Sequence, residues 1–313
     1  MDSMAAIEID GLGKDYGSVL ANDSLELRVE DGEIFGYLGP NGAGKTTTIR
    51  MLLGFIKPTS GTARVLGHDI RDEKALIEAK REIGYLSDEP GFDEQATGTE
   101  ILDLHAAVKG DSRSDELLEL FDPPLDRTIR EYSRGNVQKL GLVTTFMHDP
   151  ELVILDEPTS GLDPLMKQRF AEFLRSERDS GVTIFFSSHI LSEVRRLCDR
   201  VGIIRQGRLV TVEPIETLLM KSGKTVRLSS KRPIPEELLA IDGISDLETS
   251  SPGGAEAGGA GTDDGFTECA FTFTGDINEL LAKLPEQELL DCSIEEAPLE
   301  DVFMQFYGGE ADV

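Results

Sequence analysis

The stretch GPNGAGKTT at residues 39–47 constrains the fold of this chain more than any other. It fits the pattern G-x-x-x-x-G-K-[ST], and it lies directly between a strand-like apolar run, EIFGYL, and a helical run. Glycines in such a turn let backbone N–H groups curl around phosphate oxygens at a helix N-terminus. A glycine-rich turn with a surface lysine is the alternative, but the strand before it and the helix after it favour a phosphate-binding loop. The stretch therefore predicts an α/β fold of the P-loop NTPase type.

The residues of this loop have expected parts in holding a nucleotide. Lys45 is expected to reach the β- and γ-phosphates, and the Thr46 hydroxyl is expected to ligate Mg²⁺. The rest of the loop is expected to line the site: Gly39, Pro40, Asn41, Gly42, Ala43, Gly44 and Thr47. The expected cofactors are therefore ATP and Mg²⁺.

Two adjacent acids follow a second apolar run, LVIL, within the stretch LVILDEPTSGLD. The four apolar residues 152–155 indicate a buried parallel strand, and Asp156 and Glu157 follow at its carboxyl end. Ligands of α/β sheets bind at that end. Two acids after a strand are weak evidence alone, but together with the phosphate loop they predict a catalytic pair. Asp156 is expected to hold Mg²⁺ through its water shell, and Glu157 is expected to polarise the attacking water.

The charge balance excludes some partners. Asp and Glu number 59 against 31 Lys and Arg, which gives a formal net charge of −28. Such a surface repels nucleic acid, so the phosphate loop must supply a local positive field for a polyanion. High salt screens the self-repulsion of so acidic a chain, which suggests a halophilic source. Cys198, Cys269 and Cys292 are odd in number and have no C-x-x-C spacing, so we expect isolated thiols.

The length and the alternation of patterns predict two domains. The chain has 313 residues, and one core usually serves about 150. Residues 4–72 read as strands around one helix, and residues 90–148 read as a helical insert. The insert contains Thr97 followed by Glu100, a capping-box spacing. From residue 151 strands and helices alternate as in a parallel sheet.

The segments after residue 220 show a different pattern of predicted strands and helices. TVRLSS, IPEELLAI, ISDLETS, FTECAFTFTG, INELLAKL, LLDCSIEEA and PLEDVFMQFYG read as β-α-β-β-α-β-α, the order of a small α+β ferredoxin-like domain. Residues 251–265, rich in Gly, Ala and Asp, are expected to form a flexible surface loop. The predicted domains are thus 4–220 and 221–313. Binding of a regulatory small molecule is one hypothesis for the second domain.

The motifs, in this order, resemble the ATP-binding subunit of an ABC transporter over residues 4–220. The resemblance implies an ABC-type cassette with a mixed sheet core and a helical subdomain at about 90–148. Tyr16 in GKDYGS corresponds to the aromatic residue that stacks on adenine, and His189 in FFSSHI corresponds to the histidine that touches the γ-phosphate. Asp163 ends GLD, which resembles the loop joining two nucleotide-binding domains. A lone Tyr or His is more often a packing residue, so these assignments depend on the whole set.

EYSRGNVQKL, residues 131–140, falls where this family carries its signature sequence. By itself it is also compatible with an ordinary helix start. The resemblance implies that Ser133 and Gly135 meet the γ-phosphate bound by an opposite subunit, in a homodimer or in a dimer with a related ATPase. Arg134 and Asn136 depart from the family pattern. Arg134 either approaches the partner's phosphate or pairs with nearby acids.

Asp88 in GYLSDEPG is a second departure, since the family commonly has a Mg²⁺-sensing glutamine there. A carboxylate also ligates Mg²⁺, so Asp88 joins Thr46 and Asp156 as an expected metal ligand. The two variants and the closing LEDVFMQFYG resemble the exporter-type subfamily, whose ATPases end in a small extra domain.

The resemblance implies an ATPase that drives an integral-membrane permease from the cytoplasmic face of the cell membrane. The chain itself has no apolar run of the roughly 20 residues that a membrane helix needs, and its start, MDSMAAIEIDG, does not read as a signal peptide. The alternative is a soluble ABC ATPase acting on ribosomes or DNA. Such proteins usually carry paired cassettes or long coiled coils, whereas this chain has one cassette, no sustained heptads and an acidic balance.

Overall fold

A computed structural model describes residues 5–231, 241–250, 267–284 and 288–296. The chain falls into two units, Met1–Ile215 and Glu216–Val313, and each has a hydrophobic core of its own. The strands of the first unit are β1 (Ala5–Asp15), β2 (Leu20–Glu30), β3 (Ile34–Leu38), β4 (Ser60–Val65), β5 (His68–Asp69), β6 (Ile83–Leu86), β7 (Leu152–Asp156), β8 (Thr183–Ser188), β9 (Arg200–Arg205) and β10 (Arg208–Pro214). Its helices are α1 (Lys45–Leu52), α2 (Glu73–Ala79), α3 (Gly98–Lys109), α4 (Ser114–Phe121), α5 (Arg134–Phe146), α6 (Pro164–Asp179) and α7 (Leu191–Leu197), with a short 3₁₀ turn at Ile129–Glu131. Helix α8 (Ile215–Ser222) follows β10.

A six-stranded sheet forms the centre of the first unit, in the order β10-β9-β3-β8-β7-β6. The five strands from β9 to β6 run parallel, and β10 is antiparallel at the edge. Strands β3, β7 and β8 are buried at every position. The sequences IFGYL and LVILD are accordingly short, almost wholly apolar runs, as parallel strands covered on both faces require, and TIFFSS has an apolar centre with polar residues at its ends.

A second, antiparallel sheet in the order β2-β1-β4-β5 shares its core with the central sheet. Ile7, Val29 and Val65 from the antiparallel sheet belong to the same apolar cluster as Phe35 of β3 and Ile49 of α1. The two sheets enclose α1, the helix that begins at the phosphate loop. This arrangement confirms the predicted ABC-type mixed sheet core.

Helices α3, α4 and α5 occupy the chain between β6 and β7. The predicted capping box at the start of α3 is confirmed, because the Thr97 backbone N–H donates to the Glu100 carboxylate at 2.8 Å and the Thr97 hydroxyl accepts from the Glu100 backbone. Phe121 of α4 and Phe146 of α5 pack edge-on against Phe173 of α6, with ring centroids 5.5 and 4.8 Å away. The helical segment is thus joined by aromatic packing to the helix that follows the strand-end acids.

The described part of the second unit contains β11 (Lys224–Ser230), β12 (Ile244–Ser250), β13 (Thr267–Phe273), α9 (Ile277–Lys283) and β14 (Leu289–Glu296). The strands form an antiparallel sheet in the order β12-β13-β11-β14. The two central strands, β11 and β13, are the first and third of this unit in chain order, in agreement with the predicted ferredoxin-like order. The expected helix before residue 241, the loop at 251–265 and the closing LEDVFMQFYG lie outside the described residues.

Two further observations concern membrane-spanning helices and the cysteines. Within the residues that the structure describes, no helix combines the length and the apolar character that crossing a membrane requires. Cys198 and Cys269 are buried and Cys292 is exposed, and all three are free thiols, as predicted.

Candidate nucleotide-binding site

The carboxyl ends of β3, β8 and β7 lie side by side and build the candidate site. In the sheet register, Leu38 of β3 pairs with Ser188 of β8, and Ser187 pairs with Asp156 of β7. The residues that follow these three strands are the phosphate loop, His189 and Glu157. Strand order therefore brings three distant sequence motifs to one edge, where α/β sheets bind ligands.

The phosphate loop ends at the N-terminus of α1. Gly44 is the N-cap residue, with a φ of 107° and no side-chain cap on the helix. A side chain at Gly44 would come within 2.5 Å of the carbonyl oxygen of Ala21, so this turn admits only glycine. Because no side chain caps α1, its first N–H groups and positive helix dipole remain directed at the loop and favour an anion there.

Lys45 is nearly buried and is held at the base of the loop. Its ammonium donates to the carbonyl oxygens of Gly39 at 2.6 Å and Pro40 at 3.3 Å, and it lies 3.2 Å from Oε1 of Glu157. Glu157 Oε1 is buried and accepts no hydrogen bond of good geometry. An oxygen that accepts no hydrogen bond keeps its capacity to accept a proton, which fits a group that takes a proton from water.

Asp156 is 2% exposed and lies between two hydroxyl groups. Thr46 donates to one carboxylate oxygen at 2.8 Å, and Ser187 donates to the other at 3.0 Å. Burial raises the pKa of the Asp156 carboxyl, while the two hydroxyls and Lys45 act in the opposite direction. The adjacent oxygens of Thr46 and Asp156 are hard donors of the type that Mg²⁺ prefers, so these residues fit the predicted metal site.

Glu157 and His189 form a hydrogen-bonded pair. His189 Nδ1 lies 2.8 Å from Oε2 of Glu157. Because a carboxylate only accepts, Nδ1 carries the hydrogen of this bond. Glu157 has a φ of 51°, in the left-handed region that is uncommon for a residue other than glycine. The backbone N–H of Glu157 donates to the carbonyl of Ser187 at 3.1 Å, and this bond, with the His189 contact, helps to hold the strained turn and its carboxylate in place.

The phosphate loop lines a cleft of about 410 Å³. Its lining consists of Val19, Leu20, Ala21, Pro40, Asn41, Gly42, Gly44, Lys45, Thr46, Thr47, Asp88, Glu157, Gln206 and Gly207. Tyr16 is not in this lining; it is 54% exposed, and the ammonium of Lys14 lies 5.1 Å from its ring centre. Val19 and Leu20, 59% and 52% exposed, were missed by sequence reasoning. Their signal is an apolar pair, VL, inside a polar turn next to the loop.

Ser133 and Asp163 lie outside the cleft lining and cap helices of their own chain. The Ser133 hydroxyl accepts from the Asn136 backbone at 3.3 Å at the start of α5, and the Asp163 carboxylate accepts from the Met166 backbone at 2.9 Å at the start of α6. Both residues are exposed. A single chain therefore does not bring the signature residues to its own phosphate loop.

Arg134 pairs with an acid of its own chain, which is one of the two alternatives that the sequence leaves open. Its Nη2 lies 2.9 Å from Oδ1 of Asp88. Two of the three residues that depart from the family pattern, Arg134 and Asp88, thus contact each other. Four residues further along α5, buried Gln138 donates to the carbonyl of Pro158 at 2.9 Å.

Glu193 in the first turn of α7 connects the loops around the catalytic pair, and sequence reasoning missed it. Its carboxylate accepts from Thr159 at 2.8 Å, from Lys167 at 2.9 Å and from Ser188 at 3.2 Å. Thr159 follows Glu157, and Ser188 precedes His189. An acid in the first turn of a helix is common for dipole reasons, so nothing local in the sequence distinguishes it.

Comparison with known proteins adds four findings. The family model described as ABC transporter matches residues 22–160. The bacitracin transport ATP-binding protein BcrA of Bacillus licheniformis is 41% identical over 225 residues, which cover 70% of this chain and 72% of the relative. The daunorubicin/doxorubicin resistance ATP-binding protein DrrA of Streptomyces peucetius is 36% identical over 261 residues, 79% of this chain and 78% of the relative. A solved ATP-binding subunit of an ABC transporter superposes with a TM-score of 0.63 at 29% identity, over 69% of this chain and 92% of that one.

Proposed function

Because the chain belongs to the ABC transporter family, as an ATP-binding and ATP-hydrolysing subunit, we propose that a second such subunit completes its ATP site and that the pair drives export through an integral-membrane permease. The observation that carries the proposal is the division of the site. Lys45, Thr46 and Glu157 line one cleft, whereas Ser133 and Asp163 stand exposed at helix ends elsewhere on the surface.

In this proposal the phosphate loop, residues 39–47, binds the triphosphate of ATP. The N–H groups at the start of α1 and the ammonium of Lys45 supply the positive field that the acidic chain otherwise lacks. Thr46 and Asp156 hold Mg²⁺, and Asp88 at the rim of the cleft is a further candidate ligand. Mg²⁺, when bound, neutralises charge on the phosphate oxygens.

Glu157 is the proposed general base. Its unbonded Oε1 accepts the proton of the attacking water, while His189 holds the other oxygen at 2.8 Å and so fixes the direction of the carboxylate. General-base assistance of this kind is worth about 10²- to 10⁴-fold in rate. His189 also lies at the correct strand end to meet the γ-phosphate, which is its second proposed role.

Ser133 and Gly135 are proposed to meet the γ-phosphate bound by the partner subunit, and Asp163 is proposed to lie at the junction between the two subunits. The start of α5 supplies N–H groups and a positive dipole for that phosphate. We propose a homodimer as the simplest such pair. Tyr16 is proposed to stack on adenine, with Val19 and Leu20 as additional apolar contacts for the base, since these two line the cleft.

The partner in the membrane is proposed to be an export permease, and the chain is proposed to bind it from the cytoplasmic side. The names of the relatives support this direction, because they refer to bacitracin transport and to daunorubicin resistance. The residues at positions 88 and 134, which resemble those of exporter-type ATPases, are consistent with this proposal.

Two measurements test the proposal. Purified Glu157→Gln is expected to form dimers with ATP and to remain monomeric with ADP, as measured by light scattering. The tagged full chain, expressed in its own host, is expected to co-purify with a membrane protein of about six spanning segments. Absence of an ATP-dependent dimer, or co-sedimentation with ribosomes in place of membranes, would contradict it.

A halophilic source is a separate proposal, which rests on the net charge of −28. Salt shortens the Debye length from about 10 Å at 0.1 M to about 3 Å at 1 M, which screens the repulsion among surface acids. The unfolding temperature is therefore expected to rise between about 0.1 M and about 1 M KCl. A fall over this range would argue against adaptation to salt.

A further inference from the structure

The ion pair of Arg134 and Asp88 joins two parts of the chain that the proposed dimer assigns to different ATP sites. Arg134 is the first residue of α5, the helix whose start is proposed to face the partner's nucleotide. Asp88 lines the cleft in which the chain binds its own nucleotide. The pair therefore connects the chain's own cleft with the segment that it presents to its partner.

Arg134 also packs on the loop that follows Glu157. A Cβ placed on Gly161 would lie 3.0 Å from Cγ and 3.3 Å from Cδ of Arg134, so the arginine stem covers this glycine. A Cβ placed on Gly135 would lie 2.7 Å from the carbonyl oxygen of Gly161. The start of α5 thus lies against the 161 turn with no room for a side chain on either glycine.

The contacts of this region differ in their response to charge. The packing on Gly161 and the bond from Gln138 to the Pro158 carbonyl involve neutral partners. The ion pair is charged, and its side chains are about half exposed, at 56% for Arg134 and 44% for Asp88. An added charge in the cleft therefore acts most strongly on the ion pair.

A nucleotide in the cleft acts on both members of the pair, and with opposite sign. The phosphates attract the Arg134 guanidinium, and they repel the Asp88 carboxylate unless it ligates Mg²⁺, in which case the metal draws it away from Arg134. Either displacement changes the position of Arg134, whose backbone begins α5 and whose stem covers Gly161. Binding in the cleft is therefore transmitted to the start of α5 without contact between the nucleotide and that helix.

We propose that Arg134 is a positioning residue that couples the two half-sites of one chain. Through its ion pair with Asp88, nucleotide binding in the chain's own cleft sets the position of the signature segment, residues 133–137. The consequence for catalysis rests on the proposed dimer, but the coupling itself lies within a single chain. By linkage, contact of the signature segment with a partner changes nucleotide affinity in the cleft by the same factor.

The first test measures the coupling in the monomer. Hydrogen–deuterium exchange of peptides covering residues 133–137 is followed in the full chain with and without ADP and Mg²⁺, at a concentration where the chain is monomeric. In the wild type, ADP is expected to change the exchange rate of these amides by about twofold or more. Arg134→Gln and Asp88→Asn are expected to abolish the change, and Arg134→Lys, which keeps the ion pair, is expected to retain it.

Arg71 provides a matched control. It forms an exposed ion pair with Asp69 at 2.7 Å, away from the nucleotide cleft. Arg71→Gln removes the same charge as Arg134→Gln and is expected to leave the ADP response intact. An equal ADP response in Arg134→Gln and the wild type would overturn the coupling.

The second test is a double-mutant cycle on ATP-dependent dimerisation in the Glu157→Gln background. Exposed ion pairs contribute up to about 1 kcal/mol, so Arg134→Gln and Asp88→Asn are each expected to weaken the dimer by about two- to fivefold. The double variant is expected to be no weaker than the weaker single variant. Additive losses would overturn the proposal and would instead indicate that Arg134 contacts the partner's phosphate.

The two tests separate this inference from the proposed function. If Glu157→Gln fails to dimerise with ATP, the proposed dimer is wrong, and the ADP-dependent exchange alone decides whether the coupling exists. If the dimer forms but residues 133–137 respond to ADP equally with and without Arg134, the coupling is wrong and the proposed function stands.

Discussion

The two proposed parts of the ATP site on this chain differ in how the fold holds them. The side chains of Lys45 and Glu157 are 6% and 15% exposed, and they contact each other and the loop backbone. Ser133 and Asp163 are exposed and bond to the first turns of their own helices. One part is assembled by folding, and the other part is a pair of capped helix ends.

This difference follows from the cost of burying charge. A charge removed from water must be paired and hydrogen-bonded within the chain, so the phosphate loop and the strand-end acids are interlocked before any ligand binds. An exposed helix end has no such requirement, because water satisfies it. We therefore expect substitutions in the buried part to affect chemistry and substitutions in the exposed part to affect association.

The largest expected effect is that of Glu157→Gln. The amide keeps the size of the side chain but no longer accepts a proton, so turnover should fall by about 10²- to 10⁴-fold. ATP affinity should be retained because Lys45 and Thr46 are unchanged. Phosphate release and nucleotide binding measure the two quantities, with Glu151→Gln, an exposed acid before β7, as the control. Unchanged turnover in Glu157→Gln would remove Glu157 from the mechanism.

The next largest effect is expected for Ser133→Ala, which should affect dimerisation without affecting ATP binding to the monomer. ATP binding to the monomer should be unchanged, while ATP-dependent dimerisation should weaken by about 10- to 100-fold, since a hydrogen bond to a charged group is worth about 1.5–3 kcal/mol. The loss of the α5 cap also costs about 1 kcal/mol of stability. Thr97→Ala removes the cap of α3 and controls for that cost. If Ser133→Ala abolished ATP binding to the monomer, its role in the partner's site would be wrong.

Glu193→Gln tests whether the phosphate loop and the strand-end acids depend on residues that do not line the cleft. The variant weakens the charge-assisted bonds to Thr159, Ser188 and Lys167, each worth about 1.5 kcal/mol or more. Turnover should fall by up to about tenfold with ATP affinity retained. Glu172→Gln, on the exposed face of α6, is the matched control. Equal turnover in both variants would show that Glu193 does not position the catalytic pair.

The smallest expected effect is on the pH dependence of stability, and it concerns His148, which belongs to neither part of the site. Burial and the nearby Lys109 ammonium lower the pKa of His148 to about 4. The unfolded chain binds this proton near pH 6.5, so its uptake favours unfolding as the pH falls from about 6.5 to about 4. Chemical denaturation should show that His148→Gln loses less stability over this window than the wild type. Parallel stability profiles would mean that His148 titrates alike in both states.

Much of the buried part of the site was predictable because its requirements are local. The turn at residues 39–47 needs glycines where side chains would collide, and the fully buried β7 needs an uninterrupted apolar run before its acids. Sequence separation does not matter for such patterns, since each motif folds into its own strand end. Strand alternation then predicts that parallel strand ends meet at one edge.

The contacts between these motifs were not predictable in the same way. Val19 and Leu20 belong to a segment that read as strands, and only the cleft geometry shows them beside the phosphate loop. Glu193 reads as a helix-start acid until the order β3-β8-β7 brings Thr159 and Ser188 to it. The φ of 51° at Glu157 depends on the bonds that surround it.

The sequence by itself determined that this chain is an ABC-type ATPase with a phosphate loop, two strand-end acids and a signature segment. Tertiary structure alone decided which acid Arg134 pairs with. Its partner Asp88 lies 46 residues earlier, on a loop that follows the edge strand β6, and no local pattern records a contact over that distance. A side chain with a fixed charge pairs with whichever acid the fold brings within reach, and that choice is set by strand order and helix packing.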